Sequence, residues 1–111
     1  MPSDVIQGAS EFLRDSSEQN RSLAAMAVGG SADREWALAT LETAYLSERS
    51  SEVKREMLIH LVRAGREQSL KVLERLGDAD ALEYAKILRT GVTDPLVVLE
   101  RKQELDLERG V

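Results

Sequence analysis

Few residues of this 111-residue chain are of the types that carry out catalysis. The sequence contains one histidine, His60, and no cysteine, so it offers no thiolate nucleophile and no His or Cys cluster for a transition metal. His60 directly precedes Leu61, an apolar position in a helical stripe, and we interpret it as a partly exposed structural histidine. The sequence therefore predicts a protein that is not an enzyme and that has no cofactor, catalytic residue or metal site.

Two further motifs have possible chemical uses. Asp78 and Asp80 resemble a carboxylate pair that holds a hard cation, but they follow Gly77 at a predicted helix start. Acidic side chains at that place cap free N–H groups and complement the helix dipole, so we interpret them as capping residues. The segment Gly29-Gly30-Ser31 lacks the pattern of a phosphate loop, and we interpret it as a hinge with Ser31 or Asp33 as the following cap.

Composition and charge narrow the class of protein further. Hydrophobic residues make up 42% and charged residues 32%, which is enough for one core in a chain of this length. Only four aromatic residues and two prolines are present, which favours helices over strands. The net charge of −5 repels phosphates and argues against a nucleic-acid partner. Because no signal peptide or membrane span is evident, we expect no membrane partner and a cytoplasmic location.

Regularly spaced helix breakers divide the chain into short amphipathic helices. The breakers are Gly29-Gly30, Ser50-Ser51, Gly65, Gly77-Asp78 and Gly91. Between them, apolar residues at three-and-four spacing predict helices at 31–47, 51–64, 67–76 and from 79 onward. The last helix is predicted to begin at Pro95 with Asp94 as its cap. Weaker patterns predict two more helices near 3–18 and 21–28.

An internal repeat is the most informative feature of the sequence. The fourteen residues 62–75 align without gaps with residues 88–101, and seven positions are identical. The identical pairs are Arg63/Arg89, Gly65/Gly91, Leu70/Leu96, Val72/Val98, Leu73/Leu99, Glu74/Glu100 and Arg75/Arg101. The Leu-x-x-Leu-Glu core occurs again at 38–42. Because one helix hairpin cannot bury its apolar face alone, the repeat predicts stacked hairpins: an all-α, short right-handed α-solenoid of about three antiparallel helix pairs.

This pattern resembles the HEAT-like repeat family, particularly its short bacterial and archaeal form. The resemblance covers residues 31–101 and rests on the leucine pairs together with Gly65, Gly77-Asp78 and Gly91. The nearest rival is the tetratricopeptide repeat, whose Trp-Leu-Gly-Tyr signature is not visible here. We expect a single domain over 1–111, with N-terminal helices at 1–30, helix-pair repeats at 31–93 and a capping helix at 94–111.

The predicted architecture favours a protein–protein interaction or adaptor module that binds a partner helix or peptide along a solenoid groove. Periodicity places the contacts on one flank of the second helices, and Trp36 is either an interface anchor or a core residue of the first repeat. The predicted partner-binding residues are Lys54, Met57, His60, Arg63, Glu83, Lys86, Arg89 and Trp36.

Two alternatives remain open at this stage. The HEAT-like resemblance implies a small ligand- or pigment-binding protein of lyase type, for which Asp78 or Glu83 would be the acid. The last helix carries leucines beyond those a capping helix needs, which leaves capping and self-association as a structural homodimer equally open.

Overall fold

The computed structural model describes residues 3–110, and all regular secondary structure within them is helical. The α-helices are α1 Ser3–Ser10, α2 Glu18–Gly29, α3 Arg34–Ser47, α4 Ser51–Gly65, α5 Ser69–Leu76, α6 Ala79–Arg89 and α7 Pro95–Glu108. Two 3-10 helices, Glu11–Arg14 and Arg66–Gln68, follow α1 and α4 respectively. The all-α prediction is confirmed. In the part of the chain that the structure describes, every helix is too short or too polar to cross a bilayer.

The helices belong to two compact units, Met1–Gly65 and Arg66–Val111. The first unit contains α1 to α4, and the second contains α5 to α7. The division between them lies after Gly65, inside the 31–93 region that the sequence assigns to repeats.

In the first unit α2 packs on α1, α3 and α4. Gln19 at the start of α2 lies near Glu52 of α4, and Gly29 at the end of α2 lies against His60 of α4. The two helices therefore run parallel, and α3 leads the chain back between their ends in the opposite direction. Their mutual packing is tight because the buried face of α2 consists of small side chains: Ala24, Ala25 and Val28.

The N-terminal helices differ from the prediction. Residues 3–18 do not form one helix, because the chain leaves the first 3-10 helix at Asp15 in an extended conformation. The Asp15 carboxylate accepts hydrogen bonds from Ser17 N and Asn20 Nδ2, each at 3.0 Å, and Ser17 then caps α2. These local bonds compete with continuation of the helix, so the prediction of a helix to residue 18 is wrong.

Asp33, Asp78 and Asp94 are confirmed as helix caps, whereas Asp80 lies in the first turn of α6 and pairs with Lys102. Asp33 accepts a hydrogen bond from Trp36 N at 3.1 Å at the start of α3. Asp78 accepts one from Ala81 N at 2.9 Å and caps α6. Asp94 accepts one from Leu96 N at 3.0 Å, and Pro95 occupies the first turn of α7. Each carboxylate satisfies an N–H group that has no partner inside its helix, which fixes where the helix begins.

In the second unit α6 packs on both α5 and α7. The interior of this unit is formed largely by apolar side chains from α5 and α6. These buried residues are Val72, Leu73, Ala81, Tyr84, Ala85, Ile87 and Leu88. The buried residues of α7 are Val98 and Lys102. The packing of α7 is therefore much less apolar than that of α5.

Each copy of the internal repeat contains a helix end, a turn and a helix start. In the copy at 88–101 the turn passes through Gly91, whose φ is +94°. In the copy at 62–75 Gly65 is still helical, and the positive φ of +48° belongs to Arg66. The two turns therefore differ in register by one residue, although the glycines align in sequence.

Candidate functional site

A groove between the first halves of α2 and α4 is the best candidate for a functional site. It has a volume of about 750 Å³. We call it the α2–α4 groove, and its lining residues are Glu18, Gln19, Ser22, Glu52, Val53, Arg55, Glu56 and Ile59. The apolar floor of the groove is accessible at Ile59, which is half-buried, whereas Val53 is fully buried, and the other lining residues form a polar rim.

The groove ends where the two parallel helices meet most closely. A Cβ atom at Gly29 would lie 2.9 Å from the Cβ of His60, which means that only glycine fits there without a shift. Arg63 strengthens this contact by donating a hydrogen bond from Nη2 to the carbonyl oxygen of Met26 at 2.7 Å. The helices are thus joined at their C-terminal ends, and the groove lies towards their N-terminal ends.

A buried ion pair fixes the other end of the groove. Arg21 donates to Glu48 through Nε at 2.8 Å and Nη2 at 3.1 Å, and its Nη1 donates to the carbonyl oxygen of Asp15 at 2.8 Å. Glu48 also accepts from the backbone N–H groups of Arg49 and Ser50, each at 3.0 Å. Burial alone would raise the pKa of Glu48, but these hydrogen bonds together lower it. The loops before α2 and α4 are therefore held together.

The residues predicted on α4 do not form one surface. Met57 is fully buried, so its side chain offers no area to a partner. Lys54 is half-buried with Nζ 4.9 Å from the centroid of the Tyr45 ring, and Arg63 is bound to the Met26 carbonyl. Trp36 is half-buried at the start of α3. Helix α4 instead opens to the groove along Glu52, Arg55, Glu56 and Ile59.

His60 is buried, with 7% of its surface exposed, rather than partly exposed as expected. Burial, together with the positive charge of Arg63, lowers the pKa of His60 to about 4. The imidazole is therefore neutral near pH 7. Its Nδ1 atom has no hydrogen-bond partner within the described residues, and its Nε2 atom lies 3.7 Å from Glu56 Oε2.

The residues predicted on α6 lie in the second unit. Lys86 is exposed, and Arg89 forms an ion pair with Glu74 of α5 at 3.1 Å. Glu83 forms an ion pair with Arg109 at 2.6 Å and lies 3.4 Å from the ammonium group of Lys102. Asp78, the other acid considered for lyase-type chemistry, caps α6.

Lys102 lies within a cluster of three carboxylates contributed by Asp80, Glu83 and Asp106. Its Nζ atom is 3.0 Å from Asp80, 3.4 Å from Glu83 and 2.6 Å from Asp106. The three acids have the ligand type and proximity that a metal ion needs. However, the lysine ammonium already occupies the position between them, so we interpret the cluster as a structural contact between α6 and α7.

Contacts within the cluster shift the pKa values of its ionisable groups so that the charged forms are favoured. Burial alone would lower the pKa of Lys102, but hydrogen bonds to Asp106 and Asp80 raise it above its usual value. Hydrogen bonds from Lys102 lower the pKa of Asp106, and the hydrogen bond from Arg109 lowers that of Glu83. All of these groups therefore stay charged near neutral pH.

A second groove lies between the first 3-10 helix and α3. It has a volume of about 580 Å³ and includes Leu13, Thr40, Thr43 and Ala44 among its lining residues. Its charged lining residues are Glu11 and Arg14, one of each sign. Its lining charges therefore balance, whereas those of the α2–α4 groove do not, and a substitution in it is a suitable control.

The four contact residues predicted on α4, Lys54, Met57, His60 and Arg63, are not among those that line the α2–α4 groove. Ile59 is a large apolar residue on the flank that also carries Glu52, Arg55 and Glu56. Comparison with family models, curated proteins and solved structures finds no match to this chain.

Proposed function

We propose that this protein is a non-enzymatic interaction module that binds a helix or peptide of a partner protein in the α2–α4 groove. The observation that carries this proposal is the half-buried apolar side chain of Ile59 in a groove between two helices that Arg21 and Arg63 hold together. Walls that are ordered before binding lose little conformational entropy on association, which favours recognition of a short segment. A helix that presents an apolar side chain to Ile59 would use this floor.

We also propose the finer architecture, a short right-handed α-solenoid of the HEAT-like type. Two features of the first unit support it. Helices α2 and α4 are parallel neighbours, as consecutive second helices are in a stack of hairpins, and α3 runs antiparallel to both. The predicted repeats begin at residue 31, so this proposal extends the stack to α2 and places the α2–α4 groove between second helices.

The proposed function is tested by filling the groove. Ser22 lines the α2–α4 groove and Thr43 lines the second groove, so Ser22→Trp and Thr43→Trp are matched variants. Wild-type protein and both variants are used to capture partners from extracts of the native cell, after circular dichroism has established that each is folded. We expect a captured protein that Ser22→Trp loses and Thr43→Trp retains. Equal capture by all three would overturn the assignment of the groove.

A second candidate function, a structural homodimer, is favoured by the surface of α7. Leu96 and Leu107 are 72% and 67% exposed. They are eleven residues apart, which places them on the same face of a helix with about 3.6 residues per turn. Sedimentation of the wild type and of Leu96→Glu at increasing concentrations tests this candidate. A dimer that the substitution dissociates would support it, and a monomer at all concentrations would exclude it.

A further inference from the structure

We propose that the occupant of the α2–α4 groove is a basic amphipathic segment, one that presents an apolar side chain to Ile59 and lysine or arginine side chains to the rim. This inference rests on the proposed function, because it specifies the partner of the same groove. Two observations support it: the charges that line the groove and the contacts that the neighbouring cations make with other residues.

The rim of the groove carries an excess of negative charge. Glu18, Glu52 and Glu56 line it, and Arg55 is the lining residue of opposite sign. Glu18 and Glu52 lie in the first turns of α2 and α4, where the helix dipole partly compensates a carboxylate. Glu56 lies one turn further along α4, beyond the range of that compensation. A cationic partner side chain would complement these carboxylates.

The histidine one turn further along α4 does not neutralise Glu56. His60 Nε2 lies 3.7 Å from Glu56 Oε2, but the imidazole is buried and its pKa is lowered to about 4. An uncharged imidazole gives no ion pair at neutral pH. Glu56 is half exposed, and it is available to a cation that approaches from solvent.

Three other cations of the first unit are committed to different partners. Arg21 binds Glu48, Arg63 binds the carbonyl of Met26, and Lys54 lies over the ring of Tyr45. These residues are not among those that line the groove. They are held in place by their own contacts, so Arg55 is the cation that the lining itself offers to the three carboxylates.

The apolar floor requires that the bound segment also present an apolar side chain. A purely cationic peptide would leave the half-buried Ile59 uncovered, whereas an amphipathic segment covers it with one apolar side chain. Its flanking lysines or arginines then reach carboxylates on both walls, because Glu18 belongs to α2 and Glu52 and Glu56 belong to α4. The groove thus fits a segment whose charged side chains lie on either side of an apolar stripe.

The test uses a displayed library of random peptides and a label in the groove. The chain has no cysteine, so a Gln19→Cys variant accepts one environment-sensitive dye at a residue that lines the groove. Peptides are selected on the unlabelled wild type at low salt and are then titrated into the labelled protein. We expect the enriched peptides to combine apolar residues with an excess of lysine and arginine and to change the dye fluorescence at saturation.

Matched triple variants separate local charge from net charge. Glu18→Gln, Glu52→Gln and Glu56→Gln together change the net charge from −5 to −2, since three negative charges are removed. Glu100→Gln, Glu104→Gln and Glu108→Gln make the same change on α7. We expect the groove variant to lose about tenfold in affinity for the selected peptides, as the loss of several exposed ion pairs would cause, and the α7 variant to lose less than about twofold.

The outcomes distinguish this inference from the proposed function. Selected peptides that change the fluorescence but show no basic excess would overturn the inference about charge and leave peptide binding in the groove intact. Equal affinity losses in the two triple variants would also overturn it, because the effect would then be one of net charge. Selected peptides that bind without changing the dye fluorescence would overturn both proposals.

Discussion

Helices α5 and α7 pack on the same helix, α6, by different physical means. The α5 contact buries Val72 and Leu73, so it is chiefly apolar. The α7 contact buries Val98 and then relies on Lys102, whose ammonium lies among carboxylates of α6 and α7. Since α5 and the first half of α7 belong to the two copies of the repeat, similar sequences produce these two different contacts.

The alignment of the two repeat copies identifies the residue that makes the α7 contact differ from the α5 contact. Continuing the offset of 26 residues past the repeat pairs Leu76 with Lys102. A lysine at a position of the apolar stripe is buried only where anions offset its desolvation. Asp80, Glu83 and Asp106 supply them here, and the ammonium also lies 5.7 Å from the centroid of the Tyr84 ring. The attachment of α7 therefore depends on charge in a way that the attachment of α5 does not.

The largest loss in the free energy of unfolding is expected from Leu73→Ala. The Leu73 side chain is fully buried, and truncating it creates a cavity in the α5–α6 contact that lowers the free energy of unfolding by about 4 kcal/mol. Urea denaturation measures the change. The aligned Leu99→Ala, at a half-buried residue, should cost about 1 kcal/mol. Equal losses at the two positions would contradict the stated difference between the helices.

A somewhat smaller loss is expected from Lys102→Met. Methionine keeps much of the side-chain volume but leaves three carboxylates within 4.8 Å of one another with only Arg109 to pair with two of them. We expect a loss of about 3 kcal/mol in the free energy of unfolding. Hydrogen exchange should show the loss of protection chiefly in α7. Lys86→Met, at an exposed lysine of α6, is the control and should change stability by less than about 0.5 kcal/mol.

Acidification should release α7 before α5. The pKa values of Glu83 and Asp106 are lowered by folding, from ordinary values of 4.5 and 3.8. Their stabilisation is therefore complete above about pH 4.5 and is lost as the pH falls through their folded-state values. We expect amide protection factors in α7 to decrease towards pH 3 while those of α5 change less. Parallel losses in both helices would refute the charge-dependent attachment of α7.

The smallest changes in stability are expected from substitutions in the turns of the two repeat copies. Gly91→Ala forces a side chain into a positive φ, and although the space there is open, we expect a loss of about 1 kcal/mol. Arg66→Gly removes the same strain from the other copy but increases the entropy of the unfolded chain. We expect a change of less than about 0.5 kcal/mol. Thermal unfolding measures both, and a large stabilisation by Arg66→Gly would show that the strain is greater than assumed.

The fold was predictable where local chemistry decides the structure. Asp78, Asp94 and Pro95 fix helix starts through hydrogen bonds to neighbours in sequence, so their roles follow from short motifs. The break at Asp15 depends on which of several side-chain hydrogen bonds forms, and the apolar pattern of residues 3–18 does not reveal it. The one-residue difference between the turns at Arg66 and Gly91 is likewise invisible in a gapless alignment.

The candidate site was less predictable because it depends on which helices meet. The apolar spacing predicts a helix at 51–64, but it does not identify α2 as the parallel neighbour of that helix. Without that neighbour, the side of α4 that carries Ile59 cannot be distinguished from the side that carries Lys54. The burial of Lys102 could not be predicted for the same reason. A lysine in an apolar stripe is buried only when acids from another helix lie opposite it.

The absence of a side chain at Gly29 has a consequence for the width of the α2–α4 groove. An added Cβ atom there would lie 2.9 Å from the His60 Cβ and 3.1 Å from the His60 carbonyl oxygen, so the approach of the two helices at this end depends on the glycine. A methyl group at position 29 would push His60 away and change the angle between the helices. Residue 29 can therefore alter the shape of the groove although it is not one of the lining residues.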